Sequence, residues 1–161
     1  MNPAVPAALE AEIDELIGRY PQKRSASLMV LHALQEHLGW ISPESIDWAA
    51  RRLAVQPIHL FERVTFYPMF RQQPAGKFQF KVCRTLSCAL GGGTRLHEHL
   101  CRKLGLDPHR HGIQTTPDGR FSVEFVECLA SCGTAPVLML NEAFHEGVTP
   151  DRADALVAGC R

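Results

Sequence analysis

The sequence carries no surplus of charge of either sign. Its 17 Lys and Arg residues are balanced by 17 Asp and Glu, and no basic run is interleaved with aromatic residues, so the electrostatic footprint of a nucleic-acid binder is missing. No apolar run approaches the roughly 20 residues that a membrane span requires, which excludes direct membrane insertion by a helix. Met1 to Glu15 has neither an Arg-rich transit pattern nor a charged-then-apolar signal pattern, and the expectation is a cytoplasmic, unprocessed chain. There is no Cys-x-x-Cys, the usual dithiol redox motif. No histidine lies inside a cysteine loop, as a Rieske centre would need. Gly91-Gly92-Gly93 is not the dinucleotide fingerprint, because it follows a cysteine loop instead of ending a Rossmann strand. Internal repeats and low-complexity segments are absent as well.

What is present is six cysteines, four of them in two pairs: Cys83 with Cys88, and Cys128 with Cys132. A reducing compartment argues for metal, cluster or free thiols over disulfides. Each pair follows a strand-like run, so two strand ends are expected to bring four thiolates to one point.

The chain changes character near residue 74. Before it the period is helical. Leu9, Ile13, Leu16, Ile17 and Tyr20 form one stripe that Pro21 breaks, and Leu28, Leu31, Leu34 and Leu38 form a second that Gly39 stops as a left-handed cap. Ser42 followed by Pro43 starts a third helix with Ile46, Ala49, Ala50 and Leu53 on its face. Pro57 opens a fourth, with Ile58, Phe61 and Val64 expected inward and Pro68 at its end. Residues 70–77 are polar and turn-forming. Beyond them Phe78, Phe80 and Val82 alternate with Gln79 and Lys81, a half-buried strand delivering Cys83. A helix with the stripe Leu96, Leu100 and Leu104 follows, then a hairpin around Pro117-Asp118-Gly119 whose second strand delivers Cys128. Strands over 137–140 and 144–148 and a last helix after Thr149-Pro150 complete the order. The expected fold is α+β: a helical bundle over 1–74, then a thioredoxin-like α/β domain over 75–161.

A cage of soft thiolates suits zinc or an iron–sulfur cluster. Intervals of four and three residues within the pairs are tolerable for structural zinc, though not its commonest pattern, and are wide enough for each pair to straddle one iron of a [2Fe–2S] cluster. Spacing alone leaves both open, and with zinc goes the reading of a stabilised interaction module without redox chemistry. Other candidates have plainer explanations. His97 and His99 point to different helix faces, and His109 and His111 lie in a loop beside Pro108. Cys101 beside the Leu100 stripe reads as a small buried hydrophobe, and Cys160 as a free thiol.

The chain resembles the small thioredoxin-like [2Fe–2S] ferredoxin subunit of NADH:quinone oxidoreductase, respiratory complex I, a family that extends to matching subunits of NAD-linked hydrogenases and formate dehydrogenases. The resemblance is carried by Val64-Thr65-Phe66-Tyr67 with Phe70, by Val82-Cys83 with Cys88, by Thr116 to Phe121, and by Cys128-Leu129-Ala130-Ser131-Cys132 followed by Ala135-Pro136. It implies that Cys83, Cys88, Cys128 and Cys132 ligate one [2Fe–2S] cluster and that the chain transfers one electron. FMN and NADH are then bound by a partner subunit, and other peripheral-arm subunits are further partners. It implies peripheral placement on the cytoplasmic face of the inner membrane, or an equivalent diaphorase role in a hydrogenase or formate dehydrogenase. Many members have glycine where this chain has Ala130, and thioredoxin-like folds often hold a cis proline where Pro136 stands. Backbone N–H groups of residues 84–88 and 129–133 are expected to donate to sulfur, with Leu86, Leu129 and Val137 as apolar cover.

Overall fold

The computed structural model describes residues 5–161. The first four residues of the expected bundle lie outside that range. The chain divides into two compact units, one ending at Pro74 and one running from Ala75 to Arg161.

The first unit is all helical. Helix α1 (Ala7–Gly18) buries Leu9, Ile13 and Ile17, which its four-residue spacing stacks on one face. A short 3-10 turn (Lys23–Ala26) leads into α2 (Ser27–Leu38), which buries Val30, Leu31, Ala33 and Leu34 and ends at Gly39 with φ +82°. Helix α3 (Pro43–Leu53) starts as its sequence dictates. The Ser42 hydroxyl accepts the Ser45 N–H at 3.2 Å, and Pro43, whose missing N–H costs nothing at that position, takes the first helical place. Helix α4 (Pro57–Phe66) departs from expectation. Its buried face is Leu60 and Val64, while Ile58 and Phe61 are 51% and 46% exposed. At 100° per residue Leu60 and Val64 lie within one narrow stripe, and Ile58 and Phe61 fall outside it. Trp48, Ile46, Leu53 and Phe70 close the core of this unit.

The second unit is a five-stranded mixed sheet in the order β2-β3-β1-β4-β5. Strand β1 (Phe78–Cys83) lies at its centre. It runs parallel to β3 (Phe121–Val126) and antiparallel to β4 (Leu138–Leu140), while β2 (Gln114–Thr115) and β5 (Ala143–His145) form the two edges. Helices α6 (Gly93–Lys103) and α7 (Pro150–Gly159) contribute Leu96, Leu100, Cys101 and Ala153 to a core shared with Phe80, Val82, Val123 and Leu138. The expected single helix after Cys83 is preceded by an additional one, α5 (Leu86–Leu90), which lies inside the first cysteine loop. Parallel pairing of β1 with β3 sets Cys83 beside Val126. Both cysteine loops therefore leave the sheet at the same end.

Candidate functional site

Cys83 closes β1 and is 1% exposed. Its N–H donates to the Val137 carbonyl at 3.1 Å, and the next residue, Arg84, donates to the Val126 carbonyl at 3.0 Å. The single turn of α5 then carries Cys88 back inward, 2% exposed. Cys83, Cys88 and Val137 form a small apolar group with Leu129 and Ala135 against it. The first residue of α6 packs directly on this loop. A Cβ on Gly93 would lie 2.9 Å from the carbonyl oxygens of both Cys83 and Cys88, so only glycine permits the approach. Gly93, the last of the triple glycine, is thus a packing device for the cysteine loop.

The second pair is held differently. Cys128 and Cys132 are both exposed and sit on irregular backbone beyond β3, with a 3-10 turn at Cys132–Thr134. Their sulfurs are 3.6 Å apart, close to the edge of about 3.8 Å that a thiolate tetrahedron with metal–sulfur bonds of about 2.3 Å would have. Ala130 between them adopts φ +60°, a conformation that favours glycine, and its N–H donates to Cys128 Sγ at 3.3 Å. The Thr134 hydroxyl contacts Ser131 Oγ at 2.9 Å and donates to Glu146 at 2.9 Å, pinning the turn. The Ala135–Pro136 bond is cis. Arg84 and Glu127, each adjacent to a cysteine, pair at 2.6 Å across the two loops.

The thiols interact across as well as within the pairs. Burial pushes Cys83 up, but hydrogen bonds from the Thr85 hydroxyl, the Leu129 and Thr85 backbone and the Cys88 thiol together hold it below the ordinary thiol value. Cys128 is lowered by the Ala130 N–H, then by the Thr85 hydroxyl and the Cys132 thiol. Cys88 is raised by burial and by donating to Cys83, partly offset by the Val137 N–H. Cys132 is raised by donating to Cys128 and by that neighbour's charge. Within each pair one thiol is thus shifted down and its partner up.

The cysteines gather as two pairs at one end of the sheet. Among the described residues no three His, Cys, Asp or Glu side chains are grouped closely enough to hold a single ion. The remaining candidates lie elsewhere. His97, 2% exposed, stacks on Phe125 with centroids 3.8 Å apart, and its Nε2 is 3.7 Å from Cys101 Sγ. Burial raises the Cys101 thiol to about 11. His99 pairs with Asp154 at 2.7 Å, Cys160 donates to the Leu156 carbonyl at 3.3 Å, and His109 and His111 are exposed.

Sulfur donors came partly from the expected segments, through Thr85, Leu129 and Ala130, with Val137 in addition. Leu86 gives no cover: it is 75% exposed, because the turn that points Cys88 inward points Leu86 and Leu90 outward. The hydroxyls of Thr85 and Ser87, the latter on Cys132, were not anticipated. A hydroxyl residue lying between two candidate ligands in sequence, as both do between Cys83 and Cys88, is the signal that points to them.

A set of four thiols, pairwise close and supplied with N–H and O–H donors, fits a cluster that takes two ligands per iron. The family described as thioredoxin-like [2Fe–2S] ferredoxin matches residues 13–161. The chain belongs to that family. NADH-quinone oxidoreductase subunit 2 of Thermus thermophilus is 41% identical over 92% of this chain and 82% of its own length. An NADH-quinone oxidoreductase subunit of Rhizobium meliloti is 35% identical over 95% of this chain and 89% of its own. Of an NADH-quinone oxidoreductase subunit from Mycobacterium bovis, also 35% identical, this chain spans only 62%. Among solved structures, an NAD+-reducing [NiFe]-hydrogenase in the air-oxidised state shares the fold with a TM-score of 0.65, at 23% identity over 80% of this chain and 22% of that one.

Proposed function

We propose that this chain is the electron-transfer subunit of an NADH:quinone oxidoreductase, with one [2Fe–2S] cluster ligated by Cys83, Cys88, Cys128 and Cys132. The observation that carries the reading is the delivery of two close cysteine pairs to one end of the sheet, in a family whose members bear that cluster. The unit from Ala75 to Arg161 is the cluster domain on this reading, and the unit ending at Pro74 is a helical appendage.

A bound [2Fe–2S] cluster would supply a store for a single electron. The chain's part is to hold it and set its surroundings. The four thiols give up their protons on loading, so binding weakens as pH falls. The N–H groups of Thr85, Leu129, Ala130 and Val137 offset charge on sulfur. Val137 and Leu129 exclude water on the side of Cys83 and Cys88, and the exposed side of Cys128 and Cys132 is the natural point of exchange. No side chain is required to make or break a bond, and the role is that of a carrier.

The partner on this reading would hold FMN and NADH and would supply this chain with one electron at a time. Exposed apolar residues suit such a partner. The helical unit exposes Ile58, Phe61, Phe66 and Met69, and the cluster unit exposes Leu86 and Leu90 beside the cysteine loop. Among the described residues no helix is long and apolar enough to cross a membrane, and attachment to the cytoplasmic face through other peripheral-arm subunits is the arrangement we favour.

Affinity purification of the tagged chain from its host under anaerobic conditions tests this. Co-purification of a flavoprotein with NADH-dependent quinone reduction is expected. Isolation with a hydrogenase or a formate dehydrogenase would move the subunit to that host, and isolation without any flavoprotein would defeat the electron-transfer role.

A further inference from the structure

Thr85 occupies the N-cap of α5, with the extended backbone that an N-cap uses, φ −74° and ψ 168°. A threonine there ordinarily turns its hydroxyl onto the backbone N–H groups of the first turn. This one makes no side-chain capping bond. Its hydroxyl instead lies 3.3 Å from Cys83 Sγ and also reaches Cys128, one cysteine from each pair. The Ser87 hydroxyl, two residues on, serves Cys132.

We infer that Thr85 is a positioning residue whose hydroxyl ties the two cysteine pairs together and favours the reduced state of the cluster they hold. The inference rests on the [2Fe–2S] reading of the four cysteines and deepens it. With both cysteines present as thiolate ligands, neither sulfur has a proton to give, and the hydroxyl can only donate. A donor to sulfur binds more strongly as negative charge on the site grows, so it stabilises the site more after one electron has been added than before. The hydroxyl neither gains nor loses its proton in that step. Because it lies between a buried cysteine and an exposed one, it also limits how far the exposed loop moves from the buried pair.

The test uses the full chain, purified anaerobically, as wild type and as Thr85→Val, Thr85→Ser and Thr85→Ala. Iron and labile sulfide are measured first, then an EPR-monitored redox titration. Thr85→Val is expected to keep the cluster while its ratio of reduced to oxidised protein, at the wild-type midpoint, falls about tenfold, a shift of about 59 mV for one electron. Thr85→Ser, which keeps the hydroxyl, is expected to stay within twofold of wild type. Loss of the cluster in the valine and alanine variants with retention in the serine variant also supports the inference, because only the hydroxyl separates the sets. A loaded valine or alanine variant with an unshifted ratio overturns it while leaving the [2Fe–2S] reading intact, and loss in all three variants overturns it too. A wild-type chain that carries no cluster defeats the underlying reading and this inference with it.

Discussion

The two cysteine pairs are chemically alike and structurally opposite. Cys83 and Cys88 are held by a central strand, a helical turn and the start of α6, and both are almost fully buried. Cys128 and Cys132 sit in solvent on irregular backbone that side chains pin, through Ser131, Thr134 and Glu146. Packing therefore builds half of the site in advance, and local hydrogen bonds shape the other half. On the proposed reading the buried half would keep water from the sulfurs, and the exposed half would give an electron its way in or out.

Replacing the cysteines one at a time should break that comparison most visibly. Cys83→Ser and Cys88→Ser each put a hydroxyl into a buried apolar site, at a cost of about 1–3 kcal/mol if it goes unpaired. Iron content under a tenth of wild type is expected for both. Cys128→Ser and Cys132→Ser, where the loop can adjust in solvent, are expected to retain a measurable fraction of the iron. Equal losses at all four positions would show that the pairs are not distinct.

Two glycines sharpen the same contrast. Gly93→Ala drives a methyl against the Cys83 and Cys88 carbonyls and should lower stability by about 1–3 kcal/mol in denaturant unfolding, the usual range for overpacking. Gly133→Ala, in the exposed loop, meets nothing within 4 Å and should stay within about 0.5 kcal/mol of wild type.

Alkylation rates measure accessibility directly. In cluster-free protein Cys128 and Cys132 should be modified first and Cys83 and Cys88 later. Cys101, buried with its thiol raised to about 11, should react last, as read by mass spectrometry of timed digests. With the cluster bound, the four paired cysteines should all be protected.

The smallest expected effect belongs to Ala130. Relief of its φ of +60° by Ala130→Gly should stabilise the cluster-loaded protein by up to about 1 kcal/mol, the left-handed penalty being partly offset by the greater freedom of glycine in the unfolded chain. A small rise in melting temperature is the readout.

Much of this was legible in the sequence because it depends on local pattern. The Gly39 cap, the Ser42-Pro43 start and the alternation of Phe78, Phe80 and Val82 appear where periodicity and capping chemistry place them. The convergence of the cysteine loops at one sheet end follows from the strand-like run before each pair, and the parallel pairing of β1 with β3 brings it about. The errors arose where a short helix chooses its face. Ile58, Phe61 and Leu86 are apolar but lie off the face that their helices bury, and helices of three turns or fewer give too few positions for periodicity to decide the face. The Thr85 contact, joining loops 43 residues apart in sequence, has no local signature beyond a hydroxyl near a cysteine.

The most direct test of the central claim is the iron and labile-sulfide content of anaerobically purified chain, followed by low-temperature EPR after dithionite. The account predicts a brown protein with about two irons and two sulfides per chain and a rhombic S = ½ signal that appears on reduction. A colourless protein holding zinc, never exposed to air, would contradict it and leave the four cysteines as a structural metal site without a role in electron transfer.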